Sequence, residues 1–456
     1  EGEEKVVRLL SREVEQVIGQ DAPAGALQQF LPAERKVDDR VHTGPESKPT
    51  ASWGIGRVFR NRRVGEGVHS HAVLRMQTRA RQVSGRTRYD HPMEYEWDAV
   101  VIGAGIIGLA VGHELARRGA RTAILEERTA GAGATQASAG VLAPYIEAPG
   151  AGALHELTVR SLQLYDGFIA DVQQDAGTAV EYNRAGTLEI ATCPESADRL
   201  RELAARLGAL GVIAEWMDGP EAVRREPALS LPEGALLIGT QGYVRVMQLL
   251  GALTSAARAR GAVLLEGRKV DRLESGADGS VTIGAGAERY RTRTVVIAAG
   301  SWSSRVAAGG ATVSPIRGQL VQLRWTGPAI TRVLWSELCY IVPWADGTVL
   351  VGATVEDAGF DQRTTLGGVR SLMEAACRLL PSASDATFVG ARAGLRPSTA
   401  DGLPLIGRSA VNSAVVYATG HFRNGVLLAP LTAQLVADLV VSNRHDPALA
   451  LTAPGR

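Results

Sequence analysis

Three glycines and an acid stand at the spacing that the phosphates of a dinucleotide require. Gly103, Gly105 and Gly108 form the pattern Gly-x-Gly-x-x-Gly, and Glu126 lies 126 − 103 = 23 residues after the first. In such a loop the first glycine permits a tight turn and the second lets the backbone approach a pyrophosphate. The third allows a helix to pack closely on a strand. Ile106 and Ile107 fall where a helix start presents free N–H groups and its positive end to phosphate. A carboxylate about 20 residues on accepts from a ribose hydroxyl; Glu126 fills that place, with Glu127 beside it as a second candidate. An acid there, rather than an arginine, argues against a ribose 2′-phosphate. The competing reading is a glycine-rich turn in a nucleotide-free α/β domain.

The elements around the loop favour the dinucleotide. The apolar run Ala99–Ile102 is short enough for a fully buried parallel strand. Helical spacing follows at Ile107, Ala110, Val111, Glu114 and Leu115, with Gly119 at the C-cap. Thr122–Leu125 is the next buried strand. The small-residue loop Gly131–Pro144 comes after it and contains Ser138, Ala139 and Gly140; it is rich in free backbone N–H groups. Helices are expected at Leu157–Gln174, Ser196–Leu210, Pro220–Arg225 and Val246–Gly261. The last feeds strands at Ala262–Glu266 and Val270–Leu273. Further strands are expected at Val281–Ile283 and Tyr290–Arg293, and the buried strand Val295–Ala298 ends in Ala299-Gly300-Ser301-Trp302.

A different pattern occupies Tyr182–Thr192 and Pro315–Val355. Residues 315–325 alternate with period two, and 338–344 and 348–355 alternate about the turn Ala345-Asp346-Gly347, a hairpin signal. Leu366–Leu380 is an amphipathic helix ending before Pro381, and Leu427–Val441 is helical. The fold class is therefore α/β: a Rossmann-type dinucleotide domain interleaved with a second, antiparallel-sheet α+β domain. The expected division gives 93–180, 242–312 and 392–445 to the first and 181–241 and 313–391 to the second, with 446–456 as a tail.

Bulk properties exclude several classes. A chain of 456 residues is about three domain-sized units. A net charge of +1 creates no overall field calling for nucleic acid or a membrane surface. No stretch approaches the roughly 18 apolar residues of a membrane span. Cys193, Cys339 and Cys377 are odd in number, widely spaced and without metal-ligand spacing, so no metal is expected and a reducing, cytoplasmic setting is. Nothing in these numbers opposes a homo-oligomer. Residues 1–92 do not match the rest: Val6–Ile18 could form an amphipathic helix, and 57–88 is crowded with arginine around the single acid Glu66. The segment reads as a disordered extension, with the functional protein expected to start near Met93. A targeting or nucleic-acid-binding arm is the alternative.

The C-terminal third holds two arginine motifs, Gly394-Leu395-Arg396-Pro397 and His421-Phe422-Arg423-Asn424-Gly425-Val426-Leu427. A substrate carboxylate calls for a planar, permanently charged, bidentate partner, which arginine supplies better than lysine. Arg396 precedes a proline and is therefore extended rather than helical, able to project from a loop into a cavity. These motifs resemble the FAD-dependent amine oxidases of the D-amino acid oxidase superfamily, and most closely the glycine oxidases of thiazole (thiamine) biosynthesis. Ser138-Ala139-Gly140-Val141, Pro315-Ile316-Arg317-Gly318-Gln319, Cys339-Tyr340-Ile341-Val342-Pro343 and Val351-Gly352-Ala353-Thr354 share the resemblance, which covers about 350 residues.

The resemblance implies noncovalent FAD, since the cysteine signature of covalently anchored flavins is absent. It makes Arg396 the clamp for a substrate carboxylate and Tyr340 a second donor to it. Arg423 falls near the substrate amine, its backbone carbonyl mattering more than its charge, and His421 orders its loop. Ala299, Gly300 and Trp302 form the second glycine turn at the dinucleotide, and Val270 contacts adenine through its backbone. Asn424–Leu427 starts a helix aimed at the flavin's N1–C2 edge. The implied reaction takes a hydride from the Cα of a small amino acid or amine and passes the electrons to dioxygen, giving an imino acid and hydrogen peroxide. Val141 and Val355 stand where methionine is common, which leaves glycine, sarcosine and small D-amino acids open as substrates. The alternatives are a D-amino acid dehydrogenase, a sarcosine-oxidase-like enzyme, a catalytically silent FAD-binding subunit and a nicotinamide-dependent dehydrogenase.

Overall fold

A computed structural model describes residues 94–306 and 312–456. The expected helix at 6–18 and the arginine-rich stretch 57–88 lie outside the described residues.

The first sheet is built around the strand Glu94–Ile102. It pairs in parallel with Glu288–Ile297 on one side and Thr122–Leu125 on the other. Val263–Leu265 and Val415–Thr419 extend the parallel set outward. Ala99, Val100, Val101, Ala123, Ile124, Val295 and Val296 have no exposed surface, as a parallel sheet covered on both faces requires. The first strand is longer than its apolar run because 94–97 continue the ladder against 289–292. Arg272–Ser275 and Val281–Ala285 form an antiparallel ribbon on the early half of Glu288–Ile297. The helix Ile106–Arg117 follows the glycine loop directly. Gly103 has φ +104, and a Cβ on Gly108 would come within 1.9 Å of the Gly103 carbonyl oxygen. Turn and helix thus fit only with glycine at both places.

The second sheet has eight strands. Their order is Thr387–Ser398, Ser314–Arg324, Thr348–Gly352, Tyr340–Pro343, Val333–Trp335, Thr187–Ala191, Gly234–Ile238 and Ala214–Asp218. It is antiparallel except where Val333–Trp335 runs parallel to Thr187–Ala191. Alternate residues separate its two faces. Val321, Leu323, Ile341, Val349 and Val351 pack against Leu372, Ala376 and Leu379 of the helix Leu366–Leu379. Leu320, Val342 and Leu350 turn the other way, onto Ala139 and Tyr243. That second face carries the candidate site.

Two expectations need correction. Val270 is not in a strand; it lies in the connection between Val263–Leu265 and Arg272–Ser275. Arg396 is not on a loop: the strand Thr387–Ser398 pairs with Ser314–Arg324 across eleven positions and crosses the expected 391/392 boundary. Pro397 is tolerated there because the strand lies at the sheet edge.

The helix Gly425–Val441 is buried along nearly its whole length and contains Pro430. Proline has no N–H to offer the carbonyl four residues back. The Val426 carbonyl instead accepts from the Tyr165 hydroxyl at 2.8 Å, and the Leu427 carbonyl from Ser161 Oγ at 2.6 Å. Tyr165→Phe should strand a buried acceptor and cost roughly 1–3 kcal/mol. Urea denaturation of the two proteins measures this, and equal midpoints would show that the bond contributes nothing.

Candidate active site

Arg396 rises from its strand on the face shared with Ile316 and lies across Gly318, where a Cβ would meet the guanidinium carbon at 2.2 Å. Its Nη1 donates to the Thr354 carbonyl at 2.9 Å and the Arg317 carbonyl at 3.4 Å. Among the described residues no carboxylate lies within ion-pair distance of it. Arg317, on the adjacent strand, contrasts with it by pairing with both Glu356 and Asp361. Burial pulls the Arg396 pKa down, the nearby Arg423 charge adds to that, and Tyr340, Glu147 and Glu356 oppose it. A guanidinium stays charged through such a shift. The site therefore holds a desolvated cation whose natural complement is an anionic ligand.

Tyr340 begins the strand Tyr340–Pro343 and stands opposite Gly352, where a Cβ would fall 2.4 Å from the phenol oxygen. Its ring stacks on Trp335 with centroids 5.1 Å apart. Burial pushes the hydroxyl pKa up, against the pull of Arg396 and Arg423, so Tyr340 is a neutral donor at pH 7. Arg423 reaches the same region, but its Nε sits 3.0 Å from Glu147 Oε2 and its guanidinium lies 5.7 Å from the Trp335 ring centre. Of the two arginines singled out in the sequence, one is neutralised and the other is not. The two motifs also meet directly: Phe422, at φ 47, donates its N–H to the Pro397 carbonyl at 2.8 Å.

Glu147 and Trp335 were not anticipated. The signal for Glu147 was available, because Pro144 occupies the first turn of the helix Pro144–Glu147 that presents it. Trp335 belongs to a three-residue strand too short to read by period.

The expected dinucleotide residues gather around the first sheet. The helix Ile106–Arg117 has no bond from its cap side chain and no acid in its first turn, which suits a ligand at its positive end, although the Ile106 N–H, expected free, is taken by Thr135 Oγ1. Glu126 accepts from the N–H groups of Ala104 and Arg128, each at 2.9 Å, which places its carboxylate at the loop mouth. Glu127 is more exposed and pairs with Lys269 at 3.2 Å. Arg268 N donates to the Glu126 carbonyl at 2.7 Å, drawing the Val270 segment alongside the acid. Thr135, also unanticipated, accepts from Ile106 N at 3.1 Å. Gly140 has φ +76 and a Cβ there would meet the Val244 carbonyl oxygen at 1.9 Å, fixing the turn after Ser138 and Ala139. Gly300 has φ +54, and Trp302 packs within 5.6 Å of the Arg128 guanidinium.

Asn424 caps the helix Gly425–Val441 without a side-chain bond, again with no acid in the first turn, so Val426 and Leu427 follow an unneutralised helix start. His421 is fully enclosed beside it, with Nε2 3.0 Å from Thr432 Oγ1. Two helix starts without a side-chain bond from their caps, an acid at the mouth of the glycine loop and close-packed glycine turns suit FAD. The nucleotide loops also grip the Arg396 strand, since Gln136 Nε2 donates to the Ala393 carbonyl at 2.8 Å and Ser301 Oγ to the Leu395 carbonyl at 3.0 Å.

The sequence model of the family described as DAO, FAD dependent oxidoreductase, matches residues 98–439. The chain belongs to this family. As a member of it, the chain is an FAD-dependent oxidoreductase. It is similar to the glycine oxidase of Geobacillus kaustophilus, 36% identical over 76% of this chain and 94% of that one. The crystal structure of a glycine oxidase from the same organism superposes with a TM-score of 0.76 at 34% identity, covering 79% of this chain and 99% of that one. The bifunctional protein ThiO/ThiG of Nostoc sp. is 33% identical over 77% of this chain and 54% of its own length. Among the described residues, no helix is long and apolar enough to cross a membrane.

Burial pushes the His421 pKa down to about 3, so the folded protein holds it neutral. Unfolding restores an ordinary histidine near 6.5, and the unfolded chain then binds the extra proton between these values. Stability should fall as pH drops from about 6.5 toward 3, by up to about 1.4 kcal/mol per pH unit. Denaturation midpoints across that range should lose this component in His421→Gln, and an unchanged slope would place the histidine outside the linkage.

Proposed function

We propose that this chain oxidises glycine or a close small analogue to the imino acid, reduces dioxygen to hydrogen peroxide and supplies thiazole synthesis. The observation that carries the proposal is Arg396, a half-buried cation with no carboxylate partner among the described residues, set beside the neutral Tyr340 hydroxyl. A substrate α-carboxylate would take a bidentate contact from the guanidinium and a third bond from the phenol. With Arg423 neutralised by Glu147, the pocket keeps one uncompensated positive charge, which matches one carboxylate. The Arg423 backbone carbonyl is proposed as the acceptor for the substrate amine. Trp335 and Tyr340 form a stacked wall that keeps water from the reacting carbon. Orientation of this kind lowers a barrier without a strong side-chain base.

FAD supplies the two-electron acceptor when bound. Gly103–Gly108, Glu126, Glu127, Ser138–Gly140, Val270, Ala299–Trp302 and His421–Leu427 are proposed to hold it. The uncapped start of Gly425–Val441 would favour negative charge on the ring edge nearest to it. The thiazole assignment draws on the ThiO/ThiG relatives, and a cytoplasmic setting on three cysteines that are all free.

Anaerobic mixing with glycine, sarcosine and D-alanine should bleach the flavin, and readmitted air should return one peroxide per turnover. Absence of bleaching by all three would overturn the proposal. Arg396→Ala should retain bound flavin yet weaken glycolate, a carboxylate ligand without an amine, by roughly 2–5 kcal/mol. Unchanged glycolate affinity, read from the flavin spectrum, would remove Arg396 from the substrate site.

A further inference from the structure

Behind the Arg396 strand, on the opposite face of the sheet, lies a polar cluster to which the reaction assigns no part. Arg317 is only 7% exposed and Gln319 fully buried, and both project away from the side on which Arg396 lies. They converge on Glu356. Its carboxylate accepts from Arg317 Nε at 3.1 Å, Arg317 Nη2 at 2.5 Å, Gln319 Nε2 at 2.7 Å and Thr354 Oγ1 at 2.5 Å. Asp361 takes the remaining Arg317 nitrogen at 3.0 Å. Four donors on one carboxylate are more than a surface ion pair needs.

The backbone shows what the cluster holds. Gly352 pairs with Leu320 and Glu356 with Arg317, so four residues on one strand answer three on the other. One residue is therefore extra, and the segment bulges. Bulges re-aim groups beside functional sites. Here the group is the Thr354 carbonyl, which turns to Arg396 Nη1 at 2.9 Å. The Arg317 carbonyl, the second acceptor of that nitrogen, belongs to the residue that exchanges both backbone bonds with Glu356, at 2.8 and 2.9 Å. Gln319 closes the far side, donating its N–H to Thr354 Oγ1 at 2.8 Å and accepting from Thr365 N at 2.8 Å. Both oxygens that orient the guanidinium thus belong to residues, Arg317 and Thr354, whose side chains bond one carboxylate on the far face.

We infer that Glu356 is the positioning residue for Arg396. It locks the bulge at Thr354 and, through the two carbonyls, sets the direction in which the guanidinium meets a carboxylate. The inference rests on the reading of Arg396 as the carboxylate site. Its effect belongs to ligand binding, so KM for glycine and the dissociation constant of glycolate move together while kcat stays.

The test is a double-mutant cycle on the flavin-loaded protein. Glu356→Gln should raise the glycine KM and the glycolate Kd roughly tenfold, with kcat changed less than about twofold; coupled neighbours interact on that scale. In an Arg396→Ala background the same substitution should leave glycolate affinity within about twofold. Equal effects in both backgrounds, or no effect in either, would overturn the inference. If Arg396→Ala alone leaves glycolate binding unchanged, the carboxylate reading is what fails. Thr354→Val deletes one bond to Glu356 and keeps the ion pair with Arg317, so it decides the matter should Glu356→Gln not fold. It should weaken glycolate roughly threefold, again only when Arg396 is present, and unaltered affinity would overturn the inference.

Discussion

A guanidinium taken out of water has to be met by acceptors, and Arg396 is met by two carbonyl oxygens on one nitrogen. Among the described residues its other donors have no acceptor and are left for a ligand. Leaving a charge in that condition is costly. The surroundings make it tolerable with partial opposing charge from Tyr340, Glu147 and Glu356 rather than with a direct counter-ion. A direct counter-ion would have closed the site. The same logic explains Arg423, whose bond to Glu147 keeps a second strong anion sink from forming beside the first.

The edge strand Thr387–Ser398 joins two functions that the sequence keeps far apart. Its inner ladder belongs to the second sheet, yet its carbonyls are gripped by Gln136 and Ser301 from the nucleotide loops. Gly394 makes room for that contact, since a Cβ there would stand 2.9 Å from the Ala137 methyl. Phe422 then ties the start of the buried helix Gly425–Val441 to the strand's end. The loops that follow the glycine turn and the strand that carries Arg396 are consequently referenced to one rigid element. That is what a reaction between a bound flavin and a small substrate requires, because small displacements of the reacting atoms cost rate steeply.

Much of this was legible in the sequence, for physical reasons. Strand–glycine–helix–acid is a local pattern with few solutions, so the loop at Gly103 and the acid at Glu126 could be read directly. The hairpin about Ala345–Gly347 announced itself by period and turn. Arg396 was legible as extended but was expected on a loop. Its strand partner, Ser314–Arg324, lies some 80 residues away, and long-range pairing leaves no local mark. Val270 was placed in a strand on apolar character alone, where the chain instead bends toward Glu126. Glu356 went unseen because its meaning comes from which donors surround it after folding, and Trp335 because its strand is too short to show a period. The segment 1–92 lies outside the described residues.

The floor beneath Arg396 and Tyr340 is made of missing atoms. Gly318 and Gly352 lend their empty side-chain space to the guanidinium and the phenol, since a methyl at either place would collide at 2.2 and 2.4 Å. Adaptation toward a bulkier amine has little to gain by enlarging the floor, which is already bare.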